Sequence, residues 1–558
     1  LRNLPVLLEH LLHAATLGIT VVVVAVPEGL PMMITVVLSS NMLRMLRDHV
    51  LVRKLVGIET SGSLNILFTD KTGTITRGRL QVSTVVTGAG KAYEAETFRG
   101  RKPLYELLEL SCWLNTSSTV SEGRALGGNA TDRALLEYAI SGEPKGYSVV
   151  ETLPFDSARK YSMARIRGRR NLVLVKGAPE KLLPACTRYY DEEGQVRAMQ
   201  AGREMRKRWE ELAHNAVRVL AVAVADTMAG ERFGSLTLVG LVGIRDEIRP
   251  ESRGAIQQVR EAGVQVVMIT GDNRETAVAI AREAGLIDKL EGRGVITSDE
   301  MARMGDVKLK SILRDLRVVA RALPTDKSRL VRLAQEMGLV VGMTGDGIND
   351  APALKRADVG FAMGGGTEVA KEAGDIVILD NNFASIAKAM LYGRTIFKSI
   401  RKFIIFQLTM NLCAVGVSII GPFIGIDTPV TVIQMLWINI IMDALAGLAF
   451  AGEAPQQEYM REPPKRRDEP VINRYMFHQI FCTGLFTVLL CTVFLKLEGI
   501  RSLFRYEAGD LYFMTAFFAL FIFCGVFNSF NARTHRLNLF ANLRHNPSFV
   551  CVMALVTA

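Results

Sequence analysis

Cysteine is sparse and scattered in this sequence: seven residues in 558, with no Cys-x-x-Cys pair. That argues against a disulfide framework and against a thiolate metal site. No stripe of basic residues interleaved with aromatics is present, so the net charge of +11 is not the footprint of a nucleic-acid-binding protein. Internal repeats and low-complexity tracts are also missing. What the chain does have is length and apolar runs. At 558 residues it is too long for one domain. Hydrophobic residues make up 49% and the mean hydropathy is +0.21. The apolar residues concentrate at 11–40 and after 402, which predicts a membrane part flanking a soluble part. The excess of Lys and Arg then reads as a cytoplasmic-face bias.

The soluble part carries one dominant motif. Residues 66–76 read Ile-Leu-Phe-Thr-Asp-Lys-Thr-Gly-Thr-Ile-Thr. An apolar run ends at Asp70 and a Gly-containing loop follows, so Asp70 is expected at the C-terminal edge of a parallel strand. A carboxylate there can attack a phosphoryl group and form an aspartyl-phosphate. Four later segments suit the same chemistry. Thr270-Gly271-Asp272-Asn273 follows an apolar run and precedes a helical stretch, a setting for phosphoryl oxygens. Lys327 can neutralise charge on the transferring group. Asp346 and Asp350, four apart with Asn349 between them, suit Mg²⁺ through oxygen ligands. Asp246 and Arg249 lie just past a further strand. Each segment alone reads equally well as a surface loop; their order, each at a strand end, is what makes them specific. Strands are expected near 238–244, 264–269, 339–343 and 375–379, completing the sheet that Asp70 begins around an inserted domain.

The Asp70 stretch resembles the signature of P-type ion-pumping ATPases, and the resemblance extends over essentially the whole chain. It implies a multidomain membrane protein: an α-helical transmembrane bundle, an α/β haloacid-dehalogenase-like (Rossmann-like) phosphorylation domain, and an inserted α+β nucleotide-binding domain. The expected boundaries are a transmembrane helix and stalk at 1–50, phosphorylation domain at 51–80 and 239–390, nucleotide-binding domain at 81–238, and transmembrane helices at 391–558. In the insert, Gly128-Asn-Ala-Thr-Asp132-Arg, Pro154-Phe155-Asp-Ser-Ala-Arg159-Lys160, Lys176-Gly177-Ala-Pro-Glu and Arg218-Val-Leu-Ala match the family's motifs in order. The resemblance implies that Phe155 stacks on adenine, Lys160 and Lys176 line the pocket, and Arg218 reaches the phosphates. Asp132, Arg159, Gly177, Asp246 and Arg249 join them in the nucleotide site. Asp132 stands where the family usually has Glu, and Asp246-Glu-Ile-Arg249 where it usually has Asp-Pro-x-Arg. Catalysis falls to Asp70, Lys71, Thr72, Thr270, Gly271, Asp272, Lys327 and Asn349, and Mg²⁺ to Asp70, Thr72, Asp346 and Asp350.

The residue two past the nucleophile is Thr72, where related phosphatases carry a general acid. The phosphoenzyme should therefore hydrolyse slowly, as a pump requires, unless another group activates water. In the family that group is a Glu of an actuator domain, and no such loop occurs here. The chain begins at Leu1 and ends at Ala558 inside an apolar stretch. It is expected to be a fragment whose partners include its own missing actuator segment, and to be unable to pump alone.

The ion site is expected at Pro27-Glu28-Gly29-Leu30-Pro31, inside an apolar helix at 11–42. Pro27 lacks an N–H and disrupts that turn, so nearby carbonyls are left bare. Bare carbonyls at membrane depth are tolerated where they line a cavity, and an intramembrane carboxylate such as Glu28 signals function. Asn411 lies in an apolar segment at 403–424. Asn439 and Asp443, four apart in a segment at 430–451, share a helix face. With the carbonyls of Val23, Val24 and Val26 they form an all-oxygen cage suited to Ca²⁺. Further spans are expected at 477–497 and 511–530, with a last one from about 548. The basic connections at 453–474 and 531–546 put the catalytic domains on the cytoplasmic side.

The Pro-Glu-Gly-Leu-Pro motif with the Asn/Asp pair is similar to the Ca²⁺-transporting branch, above all its plasma-membrane type and bacterial relatives. The implied function is ATP-driven export of Ca²⁺ through an aspartyl-phosphate, with ATP and Mg²⁺ as cofactors and the plasma membrane as location. Ala414 and Met442 stand where two-ion pumps have extra ligands, which implies one Ca²⁺ per cycle. The runner-up is a secretory-pathway pump that also carries Mn²⁺. A membrane-anchored phosphatase is disfavoured by Thr72 and by the nucleotide-type insert.

Overall fold

The computed structural model describes residues 29–156, 158–199, 202–214, 217–287, 294–426, 428–438, 443–467, 469–504, 510–534, 538–540 and 543–557, with scattered positions before 29. Its organising element is the strand Ile66–Asp70, in which Ile66, Leu67 and Phe68 are fully buried. Ile66 and Phe68 join one apolar cluster and Leu67 another, because successive side chains leave opposite faces of a strand. A strand buried on both faces belongs in the middle of a covered parallel sheet. Here it lies between Gln265–Ile269 and Val341–Gly345, parallel to both. The full order is Val50–Val52, Ile376–Ile378, Val359–Met363, Val341–Gly345, Ile66–Asp70, Gln265–Ile269, Val318–Ala320, Val295–Thr297. Only the edge strand Val50–Val52 runs antiparallel. Two of these strands (295–297 and 318–320) have three residues each and lack the length by which a run is recognised in sequence.

The strand expected near 238–244 does not belong to this sheet. It is the middle of Leu236–Ile248, which pairs antiparallel with Thr76–Thr87 on one edge and Arg218–Ala225 on the other. Both edges are occupied within the second sheet, which has nine strands. Thr76–Thr87 and Leu236–Ile248 together carry the chain out of the eight-stranded sheet and back, and the expected boundaries at 81 and 238 fall inside them.

Among the described residues, four helices are long and apolar enough to cross a membrane: Gly29–Arg47, Phe383–Phe423, Arg474–Lys496 and Leu511–Arg533. Shorter apolar helices are Val432–Trp437, Asp443–Ala451 and Pro547–Thr557. The segment expected at 403–424 is the distal half of the 41-residue helix Phe383–Phe423. At 1.5 Å per residue that helix is about 60 Å long, twice a bilayer core of about 30 Å. Its first turns are buried against the domain of the eight-stranded sheet. Arg394 donates to the carbonyls of Gly62, Ala262, Tyr459 and Glu462. A Cβ on Gly62 would stand 2.5 Å from Arg394 N, so only glycine allows this approach. One rigid element thus joins the eight-stranded sheet to the apolar bundle.

Candidate active site

Parallel pairing brings three strand ends together. Ile269 lies opposite Asp70 and Met343 opposite Phe68, so Asp70, Thr270 and Thr344 emerge on one edge. The Asp70 backbone N–H donates to Thr344 Oγ1 at 2.8 Å. After Asp70 the chain turns through Lys71–Ile75, with Gly73 at φ +73, a conformation that favours glycine. Lys327 is in the first turn of the helix Pro324–Glu336, whose start is pre-set by Pro324. Its ammonium forks between Asp70 Oδ2 at 2.8 Å and Asp350 Oδ1 at 2.7 Å. Burial works against that charge, but the Asp70 and Asp350 carboxylates win and hold the Lys327 amine above the ordinary lysine range.

Asp350 is buried and committed: its other oxygen accepts the N–H groups of Asp346 and Gly347 at 3.2 and 3.1 Å. Asp346 makes no ion pair among the described residues, although the Lys327 charge acts on it from nearby. Burial, followed by the charges of Asp70 and Asp350, raises its carboxyl above the ordinary range. Carboxylate oxygens of Asp70, Asp346 and Asp350 lie within 4.8 Å of one another. A hard divalent cation such as Mg²⁺ fits this set, since oxygen donors are what it takes and its charge would relieve the repulsion. Asp346 and Asp70 have the freer oxygens; Asp350 orients them. Asn349 is exposed beside the cluster. Thr72 lies in the turn, at φ −72 and ψ 127.

On the opposite flank, Thr270 is buried and its Oγ1 accepts from Asp272 N at 3.1 Å. Asn273 caps the helix Arg274–Glu283 by accepting from Thr276 N. Lys71 pairs with Asp272 at 2.8 Å, a link across two strand ends that spacing in sequence does not reveal. Asp246 accepts from Thr76 Oγ1 at 2.6 Å and Gly78 N at 2.8 Å, while Arg249 donates to the carbonyls of Thr76 and Gly73. Asp246 and Arg249 therefore hold the exit of the Asp70 loop. Replacing Asp246 by Ala strands the Gly78 N–H and the Thr76 hydroxyl, so we expect a loss of about 1–3 kcal/mol in stability. Thermal unfolding checks this; an unshifted midpoint would mean the clamp is idle.

The insert's candidates divide into two groups. Asp132 and Lys176 are buried and paired at 2.6 Å, with Ser117 and Asn129 also donating to Asp132. Gly177 packs under the backbone of Lys160 and Tyr161. Phe155 is 50% exposed. Arg159 reaches Glu231 and the Pro154 carbonyl, and Lys160 pairs with Glu180 at 3.0 Å. Arg218 donates to Thr131 Oγ1. It lines a cavity of about 400 Å³ shared with Lys71, Asp246, Asp272 and Asn273, which connects the insert to the Asp70 edge.

Of the expected ion ligands, Val23, Val24, Val26, Glu28 and Asn439 lie outside the described residues, and for Asp443 only the backbone is described, at the start of Asp443–Ala451. Asn411 is half-buried and its amide Nδ2 has no hydrogen-bond partner among the described residues.

An aspartate, a lysine and an acidic cluster at the carboxyl edge of a parallel sheet are the arrangement of a haloacid-dehalogenase-like domain. Three family profiles match: "haloacid dehalogenase-like hydrolase" over residues 336–390, "P-type ATPase, cytoplasmic domain N" over 103–251, and "Cation transporting ATPase, C-terminus" over 427–558. These profiles make the chain similar to P-type ATPases in three separate segments. It is 37% identical over 97% of its length to calcium-transporting ATPase 7, plasma membrane-type, of Oryza sativa subsp. japonica, and covers 54% of that protein. It is 36% identical over 99% of its length to human plasma membrane calcium-transporting ATPase 3, covering 50%. Calcium-transporting ATPase 12, plasma membrane-type, of Arabidopsis thaliana is 37% identical over 95% of the chain, with 53% of the relative covered. The chain thus spans about half the length of the curated relatives it matches.

Proposed function

We propose that this chain is the catalytic and ion-binding portion of a pump that exports Ca²⁺ from the cytosol at the expense of ATP. The observation that carries the reading is Asp70 at the end of a central parallel strand, within 2.8 Å of Lys327 and beside Asp346 and Asp350. The plasma-membrane calcium-pump names of its relatives support Ca²⁺ as the cargo and the plasma membrane as the location.

ATP binds the insert, with Phe155 free to stack on the base and Arg218 directed into the shared cavity. An Asp70 carboxylate oxygen attacks the γ-phosphorus in line, the bond to the β,γ-bridging oxygen breaks, and ADP leaves. Lys327 offsets negative charge on the transferring group, and Thr270 and the loop N–H groups hold its oxygens, which is where such a reaction gains most of its rate. Bound Mg²⁺ at Asp346 and Asp70 would supply further charge neutralisation. Thr72 offers no general acid, so the acyl phosphate persists until water is activated from elsewhere. The long helix Phe383–Phe423 is the mechanical link by which the state of Asp70 reaches Asn411 and the proposed cage of Glu28, Asn439, Asp443 and the carbonyls of Val23, Val24 and Val26. One Ca²⁺ per ATP is the stoichiometry that Ala414 and Met442 favour. Phosphorylation from ATP, titrated with Ca²⁺ and with Mn²⁺ separately, tests the reading: activation by Ca²⁺ alone supports it, and equal activation by Mn²⁺ favours the secretory-pathway alternative.

Mg²⁺ dependence carries a pH signature. Asp346 must be ionised to take the metal, and its carboxyl is raised above the ordinary range by burial and by the neighbouring carboxylates. Acidification therefore protonates it early, and apparent Mg²⁺ affinity should fall as pH is lowered from neutral. Asp346→Asn should flatten that slope while leaving nucleotide binding largely intact. A Mg²⁺ titration of phosphorylation at several pH values decides; an unchanged slope in the variant would put the metal elsewhere.

A further inference from the structure

One buried ion pair, Lys402–Glu453, takes no part in the chemistry at Asp70. Lys402 lies on Phe383–Phe423, and Glu453 is two residues past the end of Asp443–Ala451. The two residues are 6% and 4% exposed. Lys402 Nζ donates to Glu453 Oε1 at 2.5 Å and to Tyr459 Oη at 3.4 Å. Among the described residues, the second oxygen of Glu453 accepts nothing. A buried pair with an unmet oxygen is a weak source of stability, because desolvation offsets its attraction. Adhesion between these helices comes instead from Phe450, whose ring lies 6.3 Å from Phe403 and 6.0 Å from Phe406. Apolar contact is non-directional and leaves the sliding register undefined. A directional charge pair selects one register.

The helix Gly29–Arg47 fixes the directions. Its Arg44 donates to the carbonyls of Gly452 and Glu453. Met33, earlier in that helix, packs at Gly447, where a Cβ would stand 3.4 Å from its own. Gly29–Arg47 and Asp443–Ala451 therefore run the same way. Asp48, just past the end of Gly29–Arg47, pairs with Lys388 near the start of Phe383–Phe423 at 2.7 Å, so the long helix runs against both. Counted from the pair in one direction, Asn411 is nine residues on and Asp443 ten residues back. At 1.5 Å per residue these are about 14 and about 15 Å, so the two backbone positions share one depth. We infer that Lys402–Glu453 is a positioning pair: it sets the register of Asp443–Ala451 against the long helix, and through it the affinity of the proposed Ca²⁺ cage. The inference rests on the Ca²⁺-pump reading. The pair touches neither the ion nor the phosphoryl group and acts through Asn411 and Asp443. A slip of one residue moves one ligand about 1.5 Å past the other, well beyond the roughly 0.5 Å that a preorganised site tolerates.

The test is phosphorylation of full-length protein, from ATP during a Ca²⁺ titration and from inorganic phosphate without Ca²⁺. The double change Lys402→Met with Glu453→Gln removes both buried charges, so the protein should fold and label from inorganic phosphate like the parent. Its half-activating Ca²⁺ concentration should rise by about 10-fold or more, with the maximal level of phosphoenzyme retained. A merely structural pair would leave that concentration at the parent value once neither charge is buried, and this outcome overturns the proposal. If the double variant does not label from inorganic phosphate, Glu453→Asp carries the test, because it keeps both charges and shortens one arm of the pair. A several-fold rise in half-activating Ca²⁺ then supports the proposal, and an unchanged value overturns it. A parent protein indifferent to Ca²⁺ would instead overturn the pump reading, and this inference with it.

Discussion

Asp70→Asn should abolish acid-stable phosphorylation from ATP. The amide is isosteric, so Lys327 and the loop should remain in place, but it cannot act as a nucleophile toward the γ-phosphorus. The loss should be complete at the level of the labelled band, with nucleotide binding by the insert retained. Labelling of full-length protein with γ-radiolabelled ATP, followed by acid quenching, gives the answer directly. A labelled band of normal intensity in the variant would move the nucleophile to another residue. Neutralising Asp70 also removes one of the two carboxylates that hold Lys327. The folded variant is therefore not expected to be weaker than the parent, because mutual repulsion with Asp346 falls at the same time.

The second large effect concerns the proposed ion cage. Glu28→Gln and Asp443→Asn, each made in full-length protein, should abolish Ca²⁺-activated phosphorylation from ATP. Each change leaves a buried cation half compensated, at a cost of several kcal/mol or on the order of 10³-fold in affinity. Phosphorylation from inorganic phosphate should survive, because it needs the empty cage and an intact Asp70 edge. That contrast separates a lost ion site from a misfolded protein. Normal Ca²⁺ activation in both variants would mean that the ligands are elsewhere in the bundle.

The Asp70 edge was legible from sequence because its chemistry is punctuated. Each apolar run that forms a strand stops at a hydroxyl, glycine or carboxylate, and the parallel register then brings Asp70, Thr270, Asp346, Asp350 and Lys327 together. What sequence could not show was pairing. Leu236–Ile248 looked like a strand of the catalytic sheet because periodicity identifies a strand and not its neighbours. The Lys71–Asp272 link and the grip of Asp246 and Arg249 on the loop depend on tertiary contact and leave no local signal. Lys176, expected to line a nucleotide pocket, has its charge matched by buried Asp132. The length of Phe383–Phe423 was half visible: hydropathy marks the apolar distal part, while the buried proximal part carries Arg394, Lys398, Arg401 and Lys402 and so does not stand out as a span.

The most direct test of the central claim is ATP-driven uptake of radiolabelled Ca²⁺ into inside-out membrane vesicles carrying the full-length protein, wild type beside Asp70→Asn. The account predicts uptake that requires ATP and Mg²⁺, stops in the variant, and accompanies one bound Ca²⁺ per phosphoenzyme. Uptake that continues without Asp70, or a wild-type phosphoenzyme that forms equally well with no Ca²⁺ present, would contradict it.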